Sequence, residues 1–216
     1  MAFEPPEVRP VTAADVPALA RMLARSFDDD PVSVWTCRPD ALRAAVLERF
    51  NAQRLRQMLR HDTVWTTPAL DSVAIWAPPQ RWRSTVAEDL EIARSLLRLR
   101  TLAHPLALAR APLVGAGLLD VERQHPREPS HWYLAILGTD PPAQGRGLAS
   151  AVLGPVLRAC DEDEVGAYLE SSKERNIGFY ARHGFQVVGE IHLPLGGPTM
   201  WRMWREPRGR PAPSGL

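Results

Sequence analysis

TDPPAQGRGLASAV, residues Thr139 to Val152, decides how this chain is read. Immediately before it, HWYLAILGT (His131–Thr139) is an almost continuous apolar run of strand length. Immediately after its glycines, Leu148, Ala151, Val152, Pro155, Val156 and Ala159 recur at helical spacing. The stretch is therefore a strand, a proline-bearing loop and a helix opened by Gly145 and Gly147. At such a junction the first helical N–H groups lack partners and the helix dipole is positive, which suits a pyrophosphate, and glycine removes the Cβ atoms that would hold the ligand off. The third glycine of a dinucleotide fingerprint is missing, and no Gly-Lys-Ser/Thr follows to make a nucleoside triphosphate loop. Taken alone, the glycines equally fit a plain tight turn between strand and helix.

Downstream, GAYLES (Gly166–Ser171) reads as a second strand, so strand, helix and strand form a crossover whose two strands are parallel. Upstream, Glu7 to Val11 reads as a short strand. Thr12 then caps a helix with Val16, Leu19, Ala20, Leu23 and Phe27 on one face, stopped by Asp28-Asp29-Asp30 before Pro31. A second helix is expected from Asp40 to Leu59, its stripe made by Leu42, Val46, Phe50, Leu55 and Leu59. Thr63–Thr66 and Ser72–Ala77 are β-rich runs joined by TPALD, which predicts an antiparallel hairpin. Between Gln80 and Pro129 no strand signal occurs. Helices are expected over Thr85–Arg100 and Leu106–Leu119, broken at His104-Pro105 and at Pro112. From Pro207 the tail PRGRPAPSGL is rich in proline and glycine and reads as disordered. These elements predict a mixed α/β chain with one domain over 1–206 and a tail over 207–216.

The 216 residues carry 26 Lys and Arg against 25 Asp and Glu, a net charge of +1, which argues against nucleic acid or an anionic membrane as main partner. No apolar run reaches the roughly 18 residues of a span, and MAFEPPEVRP lacks the pattern of a secretory signal, so a cytoplasmic location is expected. Cys37 and Cys160 are idle thiols on this reading, and neither they nor the six singly placed histidines have metal-ligand spacing. His131 and His183 are read as surface or capping positions. Trp65, Trp76, Trp82 and Trp132 read as core before they read as an acceptor pocket.

Gln144-Gly145-Arg146-Gly147-Leu148-Ala149 fits the pattern Gln/Arg-x-x-Gly-x-Gly/Ala, and LESSKERNIGFYARHGF (Leu169–Phe185) fits the half that accompanies it; in both, the chain resembles the GNAT superfamily of N-acetyltransferases. With ARSFDDDP (Ala24–Pro31) and the run from His125 to Val152, it resembles the puromycin N-acetyltransferase branch, with Asp29-Asp30-Pro31 where that branch has Asp-Tyr-Pro. The resemblance implies an acyl-CoA N-acyltransferase fold, with splayed parallel strands four and five and a helical insertion before strand four. It implies acetyl-CoA as co-substrate and an amine of a small molecule as acceptor. Leu137, Gly138 and Thr139 would hold the pantetheine arm, and Gln144, Gly145, Arg146, Gly147, Leu148, Ala149 and Ser150 the pyrophosphate. Asn176, a natural N-cap of a short helix ended by Gly184, would touch the coenzyme, and Tyr180 would face its sulfur. A phenol of pKa about 10 protonates a thiolate of pKa about 8.5 at a cost of about 2 kcal/mol, which makes Tyr180 the expected acid. Glu170, Asp30 and Glu128 are the candidate bases. An α-amine needs only about 1 kcal/mol to be neutral at pH 7 and a lysine-type amine about 5, so the need for a base depends on the acceptor. A peptide amine as acceptor, an acyl-CoA sensor without turnover, and a homodimer stay open at this stage.

Overall fold

Seven strands form one mixed sheet in the computed structural model, which describes residues 6–37, 40–97, 105–194 and 196–209. They are β1 (Arg9–Pro10), β2 (Val64–Thr66), β3 (Ser72–Ala77), β4 (His131–Thr139), β5 (Gly166–Ser171), β6 (Gln186–His192) and β7 (Thr199–Arg205). Across the sheet the order is β1-β2-β3-β4-β5-β7-β6, and only β4 and β5 are parallel neighbours. The helices are α1 (Val16–Ser26), α2 (Pro31–Thr36), α3 (Arg43–Met58), α4 (Val86–Leu97), α5 (Pro105–Gln124), α6 (Leu148–Glu162) and α7 (Ile177–Arg182). The hairpin β2–β3, the bounds of β4 and β5, and the crossover through α6 agree with the sequence reading. No helix among the described residues is long and apolar enough to cross a membrane.

Every residue of β3 is buried, so its two faces must both be covered. Side chains alternate along a strand, which sends Val73, Ile75 and Ala77 toward Leu19 and Leu23 of α1 and Leu55 and Met58 of α3. Ala74 and Trp76 face Val152, Val156 and Leu157 of α6 on the opposite side. Trp76 is fully buried there, a core residue as expected from its place in a strand. The start of α1 is fixed by Asp15, whose carboxylate accepts from the Thr12 N–H and hydroxyl, both at 2.8 Å, and from Arg9 at 2.7 Å.

Three expectations need correction. α3 buries Leu47, Asn51, Leu55, Gln57 and Met58 and leaves Phe50 exposed, so its stripe is rotated by about one residue; contact with α1, rather than the apolar count, sets the face. α5 continues through Pro112 to Gln124, since a proline inside a helix removes one hydrogen bond without having to end it. The β6–β7 hairpin was not read from the sequence. Gly189 interrupts β6, and the arginines of TMWRMWR (Thr199–Arg205) mask β7, although Met203 and Arg205 are buried. In the expected tail, the Arg208 N–H bonds Asp161 Oδ1 at 2.7 Å, while 210–216 lie outside the described residues, as do His104 and 98–103.

The sheet opens at its centre. β4 pairs with β5 only from His131–Gly166 to Tyr133–Tyr168, although both strands run on. On its other edge β4 stays with β3 as far as Thr139, through an irregularity that pairs Ile75 with Ile136 but Trp76 with Leu134. Ala135 is therefore an extra residue, placed just where pairing with β5 stops. A bulge bends the strand that carries it, so the same residue marks the start of the splay.

Candidate active site

The loop after β4 is anchored before it becomes a ligand surface. Asp140 is held by Arg25 at 2.6 and 2.9 Å, and its N–H bonds Asp71 O at 2.8 Å. A single helical turn, Pro141–Ala143, leads to Gly145 with φ +77° and Gly147 with φ +79°, the left-handed region that only glycine enters without strain. Gly147 stands at the start of α6, whose first bond runs from the Ala151 N–H to Gly147 O at 3.1 Å. The N–H groups of Leu148, Ala149 and Ser150 thus have no helical partner and face outward with the positive end of the dipole. A Cβ at Gly145 would meet no atom within 4 Å, so the loop borders open space.

That space is a cleft of about 570 Å³ between the splayed strands, running from the glycine loop to α7. Leu137, Thr139, Gln144, Gly145, Gly147, Leu148, Ala149, Ser150, Asn176 and Tyr180 line it, as do Asp30 and Glu170. Two expected coenzyme contacts do not line it. Gly138 packs against α1, where a Cβ would lie 2.5 Å from Leu23, and Arg146 is exposed on the loop's outer side. Asn176 is not a cap in the expected sense: it ends the turn Glu174–Asn176 in helical conformation and its side chain makes no capping bond, which leaves the amide to the cleft. Gly184, with φ +91°, does end α7. His183 caps α7 and lies 3.0 Å from Ser150 Oγ, tying α7 to the first turn of α6.

The four proposed proton carriers have different surroundings. Tyr180 on α7 is packed edge-on against Phe179 and Phe185, and its hydroxyl makes no hydrogen bond among the described residues. Burial, helped by the charge of Asp30, raises its pKa well above the ordinary phenol value, so it is a protonated donor throughout the neutral range. Asp30 is committed elsewhere: Oδ1 accepts from the N–H groups of Val32 and Ser33 at 3.0 and 3.1 Å, capping α2, and Oδ2 accepts from the Ser172 hydroxyl. With both oxygens engaged it clamps α2 to the loop after β5. Glu128 is exposed, does not line the cleft, and is the least suited of the three carboxylates.

Glu170 follows the last β4–β5 pair by two residues, and so shares a sheet face with Tyr168 while α6 and Tyr180 occupy the other. Its side chain is 3% exposed, and it lines both the cleft and a second cavity of about 230 Å³ on the far side. His125 Nδ1 lies 3.2 Å from its Oε1, and His131 Nε2 lies 3.1 Å from His125 Nε2. Trp82 stacks on His125 with ring centroids 3.9 Å apart, and Tyr133 meets it edge-on at 4.7 Å. His131, expected at the surface, is 2% exposed, and burial lowers its pKa. His125 had no sequence signal of its own. The run HPREPSH placed both histidines within reach of each other, and only the return of the chain from α5 into β4 made them neighbours.

The sequence pattern described as the Acetyltransferase (GNAT) family matches residues 67–185, which covers β3, the insertion, the glycine loop and α7. An uncharacterised N-acetyltransferase of Schizosaccharomyces pombe is 26% identical over 192 residues, 85% of this chain and 75% of its own. A structure described as histone acetyltransferase HPA2 and related acetyltransferase, from Corynebacterium glutamicum, superposes with a TM-score of 0.66 at 22% identity, over 97% of this chain and all 100% of that one. The polyamine N acetyltransferase of Drosophila melanogaster superposes with a TM-score of 0.55 at 13% identity, over 93% and 99% of the two chains. The free N–H groups beside two left-handed glycines, the parallel pair that parts at a bulge and the match across the middle of the chain lead to one conclusion: this protein belongs to the GNAT family and is an acetyl-CoA-dependent acetyltransferase.

Proposed function

We propose that the protein transfers the acetyl group of acetyl-CoA to a primary amine of a small molecule, within one catalytic domain over 1–206, and that it works in the cytoplasm. The observation that carries this reading is the pair of groups at the splay. Tyr180 from the α6 side and Glu170 from the opposite side line the same cleft, one able to give a proton and the other to take one. The cleft fits the coenzyme chemically. The unpartnered N–H groups of Leu148, Ala149 and Ser150, with Gly145 and Gly147 keeping the approach clear, would hold the pyrophosphate. The unpaired edge of β4 at Leu137 and Thr139, with the amide of Asn176, would hold the pantetheine arm. When bound, acetyl-CoA supplies the reactive thioester.

The residues then divide the protons. Glu170 takes the proton that the attacking amine must lose, and Tyr180 gives its hydroxyl proton to the departing sulfur. Asp30 keeps Tyr180 protonated through its charge and holds the loop after β5 in place. The resemblance to the puromycin branch supports an amine on a drug-like or metabolite molecule as acceptor, and the absence of an aromatic at Asp30 argues for one other than puromycin. The decisive experiment is thiol release from acetyl-CoA by the purified protein against a panel of aminoacyl amides, polyamines, puromycin and short peptides. Release that depends on a small amine is expected; release with peptides alone would overturn the acceptor assignment.

A further inference from the structure

The acetyl-transfer reading leaves two buried histidines without a task, and their hydrogen-bond geometry fixes a proton count. His131 Nδ1 lies 2.8 Å from the carbonyl oxygen of Pro129, an acceptor only, so it must carry hydrogen. Burial keeps His131 neutral, which leaves its Nε2 as a lone pair. His125 Nε2, 3.1 Å away, must then be the donor in that contact. The other nitrogen of His125 faces Glu170 Oε1 at 3.2 Å. With Nε2–H already fixed, one further proton lies between His125 Nδ1 and Glu170. On His125, it makes an imidazolium beside a carboxylate. The stacked indole of Trp82 favours that state, because a cation over an aromatic face is stabilised.

Resting on the transferase reading, we propose that His125 and His131 are positioning residues: His131 accepts from His125 Nε2–H, and the one further proton, held on His125 Nδ1 under Trp82, makes His125 an imidazolium that keeps Glu170 an ionised proton acceptor in a buried site. In the step itself the N–H bond of the substrate ammonium breaks and an O–H bond forms on Glu170. The Glu170–His125–His131 unit goes from net zero to +1, and the proton leaves to water in the second cavity, which Glu170 and His125 both line. The other ionisable groups facing this unit are Tyr133 from β4, Tyr168 from β5, Arg202 from β7 opposite Glu170, Arg54 from α3, Arg83 from the loop before α4, Asp89 from α4, Glu122 from α5 and Glu128 before β4. Burial and the charge of Glu170 push both tyrosines up, so neither competes as an anion near neutral pH.

The test has one readout independent of turnover. Ring-nitrogen NMR of the whole unmodified protein, histidine-labelled and assigned with His125→Gln and His131→Gln, should find His125 protonated on both nitrogens at neutral pH and His131 protonated on Nδ1 alone; two neutral rings would overturn the proposal. The second readout is the pH profile of thiol release with the best amine of the panel, over about pH 5 to 9. In His125→Gln the acid-side fall should move up by about one unit, so that activity drops by up to about tenfold at the acid end of the range and little at the alkaline end, with the KM for acetyl-CoA unchanged. His131→Leu should shift it the same way, and His131→Gln, whose amide oxygen can accept from His125, should restore it. A uniform loss at every pH, or an unchanged profile, would overturn the proposal. Silence of the unmodified protein with every amine would instead sink the small-amine assignment, and the NMR result would still decide the charge state.

Discussion

Replacing Tyr180 by phenylalanine separates chemistry from binding more cleanly than any other change. The ring contacts with Phe179 at 5.2 Å and Phe185 at 6.0 Å survive in Tyr180→Phe, and the lost hydroxyl orphans no partner among the described residues. Stability should therefore change by less than about 0.5 kcal/mol. The cost to catalysis follows from the proton balance. An ordinary phenol lies about 1.5 units above a thiol, so proton transfer is uphill by about 2 kcal/mol, and the burial of Tyr180 increases this. A penalty of 2 kcal/mol costs about thirtyfold in rate, which is less than the 10²- to 10⁴-fold that a positioned acid contributes. The hydroxyl is thus a net gain, and its removal should lower kcat by tens to a hundredfold. Thiol release gives kcat, and calorimetric titration gives the affinity for acetyl-CoA, expected within twofold of the unmodified protein. Unchanged kcat at every pH would remove Tyr180 as the acid. A fall in affinity as large as the fall in kcat would mean that the ring, and not its proton, was the contribution.

Gly147→Val places a β-branched residue at φ +79° beside the open N–H groups, and should weaken acetyl-CoA binding at least tenfold at a stability cost of about 1–2 kcal/mol; unaltered affinity would sink the pyrophosphate assignment. The raised pKa values of Tyr133, Tyr168 and Tyr180 mean that the folded state holds protons more tightly than the unfolded state. Stability is therefore full below pH about 10 and is lost as pH rises beyond it, and in a base titration followed by circular dichroism Tyr180→Phe should lose less than the unmodified protein. Asp15 has the opposite sign: Arg9 and the Thr12 groups hold its pKa well below the usual carboxylate range, so its contribution is present at neutral pH and is lost in acid. Asp15→Asn should cost about 1–2 kcal/mol in urea denaturation at pH 7 and clearly less at pH 2, where the unfolded carboxyl is protonated while the folded one still resists protonation.

What the sequence revealed and what it hid divide along the two faces of the sheet. On the α6 face the chemistry is local. Gly145, Gly147 and the first turn of α6 adjoin in sequence, Asn176 and Tyr180 lie a turn apart, and the bounds of β4 and β5 follow from uninterrupted apolar runs. A reading built on spacing reaches such residues because their neighbours in space are their neighbours in the chain. On the other face, Trp82 comes from the loop before α4, His125 from the end of α5, His131 and Tyr133 from β4, and Tyr168 and Glu170 from β5. Nothing in the pattern of any one segment says that these six meet, and single histidines are read as surface residues by default. The same reason explains the rotated stripe of α3. Its apolar residues allow more than one face, and only α1, brought by the fold, selects Leu47, Asn51, Leu55 and Met58.

That division follows from what each face has to recognise. A pyrophosphate and a thioester present the same groups to any protein that uses them, so a short backbone device meets the need, and its glycines and small residues stand close together in the chain. An acceptor amine differs from one enzyme to the next, and its proton must be taken up in a place that excludes water. The Glu170 side chain is 3% exposed, and a carboxylate so buried stays ionised only if an opposite charge is built beside it. No single segment can supply the carboxylate, its counter-charge and the acceptor that fixes the counter-charge. In the unit proposed above, β5, the end of α5 and the start of β4 would supply one each. The splay makes the combination effective. Because β4 leaves β5 directly after Tyr133, the main chain does not close over Glu170, and one buried carboxylate lines both the cleft between the strands and the second cavity.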